Sequence, residues 1–171
     1  MPLTWFRDRG TKSTKAAPKP YFGETSFLAR PDVPELRAIH AWWDTLCGDA
    51  LMPEKALLSP HELRPFLPQI QVLEVVDGGV DYHVRLFGSL WVTLTGADFT
   101  GRRLSQIDNK PAEAKWHEIY SRCVAAKSPV PLKTNLNNVG KAFLRVEVLL
   151  MPFTQTGFDV DFVVAAIARK S

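Results

Sequence analysis

The first clear pattern begins at "RPDVPELRAIHAWWDTLCGD". Leu36, Ile39, Trp43 and Leu46 recur at helical spacing, and Trp42 widens the stripe. Pro34 suits the first turn of a helix, with Asp32 or Val33 near the cap, and Gly48 is the stop. The reading is an amphipathic helix over about 34–47. Pro53, Pro60, Pro65 and Pro68 punctuate the next stretch, where Ser59-Pro60 opens a short helical turn capped by Ser59. The period then changes from helix to strand. "QIQVLEVV" and "VDYHVRLFG" read as two strands joined across Asp77-Gly78, a hairpin signal. "SLWVTLTG" is a short helical or irregular segment. "KPAEAKWHEIYSRCVAAKS" places Ala112, Trp116, Ile119, Tyr120 and Cys123 at helical spacing, with Asp108 or Asn109 as cap. Three further strands close the chain, with turns at Gly140 and Gly157. Pro152 interrupts the middle one, which marks an edge, a bulge or a strand end. Strands on both sides of a helical block predict an α+β fold around one antiparallel sheet of five strands, with no internal repeat.

Between the paired strands and the longer helix lies "GADFTGRRLSQID", Gly96 to Asp108. A phosphate loop of the Gly-x-x-x-x-Gly-Lys-Ser/Thr kind would need Lys-Ser/Thr where Arg102-Arg103 stands, and a helix starting there. The stretch reads instead as a turn. Glycine supplies the backbone freedom, Asp98 and Thr100 bond nearby amides, and Phe99 and Leu104 anchor it in the core.

The chain has 171 residues, 46% of them hydrophobic, enough for one domain with a core of its own. No apolar run reaches the roughly 20 residues needed to cross a bilayer, and the N-terminus lacks the apolar stretch of a signal peptide. The expectation is a soluble, cytoplasmic protein without membrane insertion. Cys47 and Cys123 stand far apart and read as unpaired thiols of a reducing compartment. The formal net charge is +3. Residues 1–20 hold Arg7, Arg9, Lys12, Lys15 and Lys19 against Asp8 alone, a net +4, which leaves −1 for residues 21–171. The fold therefore carries no basic surplus, which argues against nucleic acid as a partner. Residues 1–30 read as a basic, flexible tail and 31–171 as the folded domain.

Taken in order, these segments resemble a PAS domain: two strands, a helical connection ending in a longer helix, then three antiparallel strands. The detail is similar to a bacterial subfamily of small stand-alone PAS proteins, best known in alphaproteobacteria. The positions that carry the resemblance are Trp42-Trp43, Leu67-Pro68, Arg85 with Gly88, and Gly96, Asp98, Thr100, Gly101 and Leu104. It covers about residues 35 to 168, and no kinase, cyclase or DNA-binding segment fits in the remainder. It implies a sensory or regulatory module without catalytic residues, with an N-terminal helix capping the sheet. The implied pocket is lined by Phe87, Trp91, Phe99, Trp116, Ile119 and Tyr120, with a filled core as the alternative. Arg85 is either an anchor for an anionic ligand or a structural partner of Glu74 or Glu147, the second being favoured. Arg145 and Glu147 share a strand face and are expected to mark its wetter side. Leu36, Ile39, Trp42 and Trp43 are expected to offer a dimer or partner surface, either to a second copy or to a signalling protein.

Cofactor and enzyme readings are weaker. Some PAS sensors hold haem through a histidine on the long helix, where His117 lies. At about 100° per residue, however, His117 falls at the margin of the apolar stripe, so no cofactor is expected. The Asn-Cys-Arg flavin motif is absent. An isomerase of the cone-shaped α+β type would have to recruit His83, Asp98 and Tyr120, which show no coherent spacing. His40, His61, His83 and His117 are scattered rather than set as metal ligands, so no metal is expected.

Overall fold

A computed structural model of the chain describes residues 24–136 and 144–170. The basic segment before residue 24 and the turn expected at Gly140 lie outside them. Proline and the hydrophobic stripe set the first helix, α1, over Pro34–Cys47. Pro34 sits in its first turn, where the missing N–H breaks no intrahelical bond. Gly48 ends the helix at φ +56°. Ser59 caps α2 (Pro60–Leu63) by accepting from the Glu62 amide at 3.2 Å. The two strands β2 (Ile70–Val76) and β3 (Asp81–Phe87) pair antiparallel across the Asp77–Gly79 turn. Two helices follow: α3 (Ser89–Thr95), closed by Gly96 at φ +85°, and α4 (Lys110–Ala126), capped by Asn109. The strands β4 (Val130–Leu136), β5 (Leu144–Phe153) and β6 (Phe162–Arg169) complete the chain.

The sheet has six strands rather than the five expected. A two-residue strand, β1 (Ser26–Phe27), pairs with β4, matching Ser26 with Lys133 and Phe27 with Leu132. Two residues are too short to show a period, so the sequence gives no sign of it. Phe27 is held further by the Arg122 guanidinium, 3.8 Å from its ring centre. The order is β1-β4-β5-β6-β2-β3, antiparallel throughout. Pro152 resolves as a strand-end position: the β4–β5 pairing stops at Leu150, and the Pro152 carbonyl accepts from Trp43 Nε1 at 3.0 Å.

Helices cover both faces of this sheet. α1 packs Leu36, Ile39 and Trp43 against Leu149, Met151 and Phe153 of β5 and Val164 and Ala166 of β6. On the opposite face, Trp91 of α3 and Trp116, Ile119 and Tyr120 of α4 meet Leu73, Val84, Val148 and Ala165. Three of the four residues expected on a partner surface are therefore spent inside the chain: Leu36, Ile39 and Trp43 are buried. Their stripe is apolar because it closes the molecule's own core. Trp42 is half-buried against Phe66, with ring centres 5.2 Å apart.

Two local features fix which side chains reach the α4 face. Gln71 pairs with Phe87 and Val72 with Leu86, but Leu73 pairs with Val84. Arg85 is thus the extra residue of a β-bulge. Strict alternation would set Phe87 beside Arg85 and Leu86 beside Val84. The bulge reverses the phase, so Phe87 joins Tyr82 and Val84 on the α4 side, while Leu86 packs with the α1 cluster. The second feature is Gly88. A Cβ there would meet the backbone carbonyls of Leu67 at 2.4 Å, Ile70 at 2.6 Å and Pro68 at 2.7 Å. Glycine lets β3 turn into α3 directly against the segment that feeds β2.

Candidate functional site

The aromatic residues on the α4 face form a continuous run. Trp116 and Tyr120 lie one turn apart on α4 and stack with centroids 5.6 Å apart and an interplanar angle of 28°. Trp91 of α3 meets Trp116 edge-on at 5.8 Å, and Phe87 meets Phe99 edge-on at 5.4 Å. Between these rings and the sheet remains a cavity of about 20 Å³, room for about one water molecule. Phe87, Trp91, Phe99, Trp116 and Tyr120 line it. Ile119 is fully buried in the same cluster but does not reach the cavity wall.

The remaining wall includes Gln71 and Thr95, and no charged side chain of the described residues contributes to it. Several of its polar groups have partners within the chain. Trp91 Nε1 donates to the Gln69 carbonyl at 2.9 Å, and the Thr95 hydroxyl donates to the Trp91 carbonyl at 2.7 Å. Gln71 Nε2 donates to the Tyr120 hydroxyl at 3.1 Å, while Gln71 Oε1, on a residue 1% exposed, has no hydrogen-bond partner among the described residues. A buried unpaired amide oxygen carries a desolvation cost of about 1–3 kcal/mol. Burial raises the Tyr120 pKa beyond the ordinary phenol range, against the opposing effect of the Gln71 bond. Burial likewise raises that of the Cys123 thiol nearby, so both stay neutral at physiological pH. The site can bind and orient a neutral group, but it presents neither a charged acid–base pair nor a thiolate.

Gln71 is the residue the sequence reading passed over. Its signal was available: Gln71 shares a strand face with Leu73 and Val75, so a polar side chain interrupts an apolar face.

The glycine-rich stretch supplies the outer wall. Phe99, Leu104 and Ile107 face the cavity. Asp98 accepts from the Thr100 amide and hydroxyl at 3.0 and 2.7 Å, which folds the turn as expected. The segment also pairs with the free edge of β3: Gly101 N–H donates to the Val84 carbonyl at 2.7 Å, and Val84 N–H to the Arg102 carbonyl at 2.9 Å. Arg102 and Arg103 are exposed beyond that contact.

Several other residues singled out from the sequence lie elsewhere. Arg85 points away from the cavity and pairs with Glu74 at 3.0 Å. His117 bonds the Gly79 carbonyl at 2.9 Å and packs edge-on against Tyr82, outside the cavity. His83 contacts Glu74 and the Gly101 carbonyl, so His83, Asp98 and Tyr120 do not share a site. Among the described residues no cluster of three or more His, Cys, Asp or Glu could hold a metal ion, and no helix is long and apolar enough to cross a membrane.

Glu147 corrects the expectation of a wet strand face. It is fully buried: Oε1 accepts from the Asp32 and Val33 amides at 2.7 and 3.3 Å, and Oε2 lies 3.6 Å from Lys170 Nζ. Arg145 on the same face is exposed and borders an open groove of about 330 Å³ with Lys133, Lys170 and Glu24.

The model of the PAS domain family matches residues 32–167, and no curated protein matches the sequence significantly. That match runs from the lead-in of α1 almost to the end of β6, taking in every wall of the aromatic cavity. The chain belongs to the PAS domain family.

Proposed function

We propose that the chain is a non-catalytic sensory or regulatory PAS module of a bacterial signalling system, cytoplasmic, and that it acts by binding a small ligand, a protein partner or both. The observation that carries this reading is the aromatic cavity between α4 and the sheet, with the unpartnered Gln71 oxygen in its wall. A ligand would shift the balance between conformations by the difference in its affinity for them. The wall most suited to such a shift is the 96–107 segment, since it both lines the cavity and pairs with the β3 edge. No cofactor is needed for this mode of action, and the neutral site supports binding rather than turnover.

The size of the cavity favours a second reading, a scaffold with a filled core that recruits proteins without a ligand. The partner surface would then use residues outside the buried stripe of α1, with half-buried Trp42 at its rim, and a second copy of the chain is one such partner. Native mass spectrometry of the chain purified from its host distinguishes the two. A bound small molecule that Val84→Leu displaces, by narrowing the cavity, supports sensing. A mass equal to a whole multiple of the bare chain, or to the chain with a bound protein and no small molecule, favours the scaffold. A bare monomer that captures neither ligand nor protein overturns both.

A further inference from the structure

Resting on the pocket reading above, we infer that the cavity selects a small neutral molecule with an apolar, ring-like body and one hydrogen-bond donor, and that the donor is received by Gln71 Oε1. The wall fixes the class of ligand by elimination. Its carbon surface comes from Phe87, Trp91, Phe99 and Trp116 with aliphatic neighbours, so it rewards an apolar body. Its described residues contribute no cation or carboxylate, so a charged ligand would be desolvated there without a counter-charge. Trp91 Nε1, the Thr95 hydroxyl and Gln71 Nε2 already donate within the chain. Among the described residues, none supplies a donor to Gln71 Oε1.

Gln71 sits on β2 with β3 and β6 on either side, and its own amide N–H is engaged by Tyr120. With that bond made, Oε1 is the side chain's remaining hydrogen-bonding atom, on a residue that lines the cavity. As the side chains stand, the space takes a single water-sized donor. A six-membered ring enters by displacing the Phe99 ring, which is carried by the 96–107 segment and stacks edge-on against Phe87. The ligand ring then replaces one aromatic contact by another, and its O–H or N–H adds the bond the protein alone does not make. Discrimination between a donor-bearing ring and its bare isostere is expected at about tenfold or more.

The test is a calorimetric titration of the full chain with phenol, indole, benzene and benzoate. Phenol and indole should bind at least about tenfold tighter than benzene, and benzoate should not bind. Gln71→Leu should erase the preference while benzene binding persists, and Gln71→Met serves equally should the leucine variant not fold. Equal binding of phenol and benzene to the wild-type chain overturns the inference and leaves the pocket reading standing. A preference that survives in a folded Gln71 variant also overturns it. Binding of none of the probes overturns the pocket reading itself.

Discussion

Gly88 and Gly101 carry the same side chain, a single hydrogen, for different reasons, and they should respond differently to replacement. Gly88 has ordinary backbone angles but no room, since three backbone carbonyls lie within 2.4–2.7 Å of a Cβ. Gly101 has room but a φ of +84°. Gly88→Ala is expected to cost about 3 kcal/mol, because backbone must move. Gly101→Ala should cost about 1 kcal/mol for the left-handed conformation alone. Urea denaturation of the two variants checks the order. Titration belongs to this scale as well. Partial burial of Asp81 opposes its charge, but the Ser105 hydroxyl and the Tyr82 and Ser105 amides outweigh it and hold the carboxyl below its ordinary 3.8. A depressed folded value means that the stabilisation is present above pH 3.8 and is lost as pH falls through the folded value. Thermal melts in acid should show a shallower decline for Asp81→Asn. For Tyr120 the sign reverses. Burial lifts its pKa above 10.0, so its contribution is complete below pH 10 and fades as pH rises beyond that. Tyr120→Phe should reduce the loss of stability between about pH 9 and about pH 11 in urea midpoints, whatever its effect at neutral pH.

At the scale of the element, α1 is fixed to the sheet by two devices. The first is burial: Ile39→Ala should cost about 3 kcal/mol, the usual price of a cavity at a fully buried aliphatic site. The second is Glu147, a carboxylate taken out of water to receive two amides at the entrance to α1. Glu147→Ala strands those amides and removes one of the two carboxylates beside Lys170, leaving Asp32. The expected loss is about 2 kcal/mol, with faster hydrogen exchange at Val33. Glu147→Gln retains an acceptor oxygen for the amides, so Val33 should stay protected in that variant. The 96–107 segment is the opposite kind of element. It covers the edge of β3, which would otherwise present unpaired amides to another chain, and it does so through few bonds.

For the molecule as a whole, this difference predicts an ordered loss of protection. The central strands β5, β6 and β2 are paired on both sides and covered by helices on both faces. Native-state hydrogen exchange should find their amides slowest, near the global unfolding limit, and the Gly101 amide much faster. Exchange at Gly101 as slow as in β5 would mean that the cavity wall opens only when the chain unfolds. Ligand entry by movement of that segment would then fail.

Much of this organisation follows from local sequence alone. The stripe of Leu36, Ile39 and Trp43 dictates α1, since helical period and burial are the same fact seen twice. The Ser59 cap, the Asp77-Gly78 turn and the Asp98–Thr100 turn are set by side chains within a few residues of one another. The aromatic lining was legible for the same reason, because Trp116 and Tyr120 share one helix face. What depended on distant partners was not legible. Only tertiary structure decided that α1's stripe closes the core rather than meeting a partner. It also decided that a bulge at Arg85 turns Phe87 inward, that β1 pairs across more than one hundred residues of chain, and that Glu147 is buried. The physical reason is the range of the interactions. Helical period, caps and turns are paid out within a few residues, whereas register, the fate of a buried charge and the one unpaired oxygen of Gln71 depend on what the folded chain brings beside them.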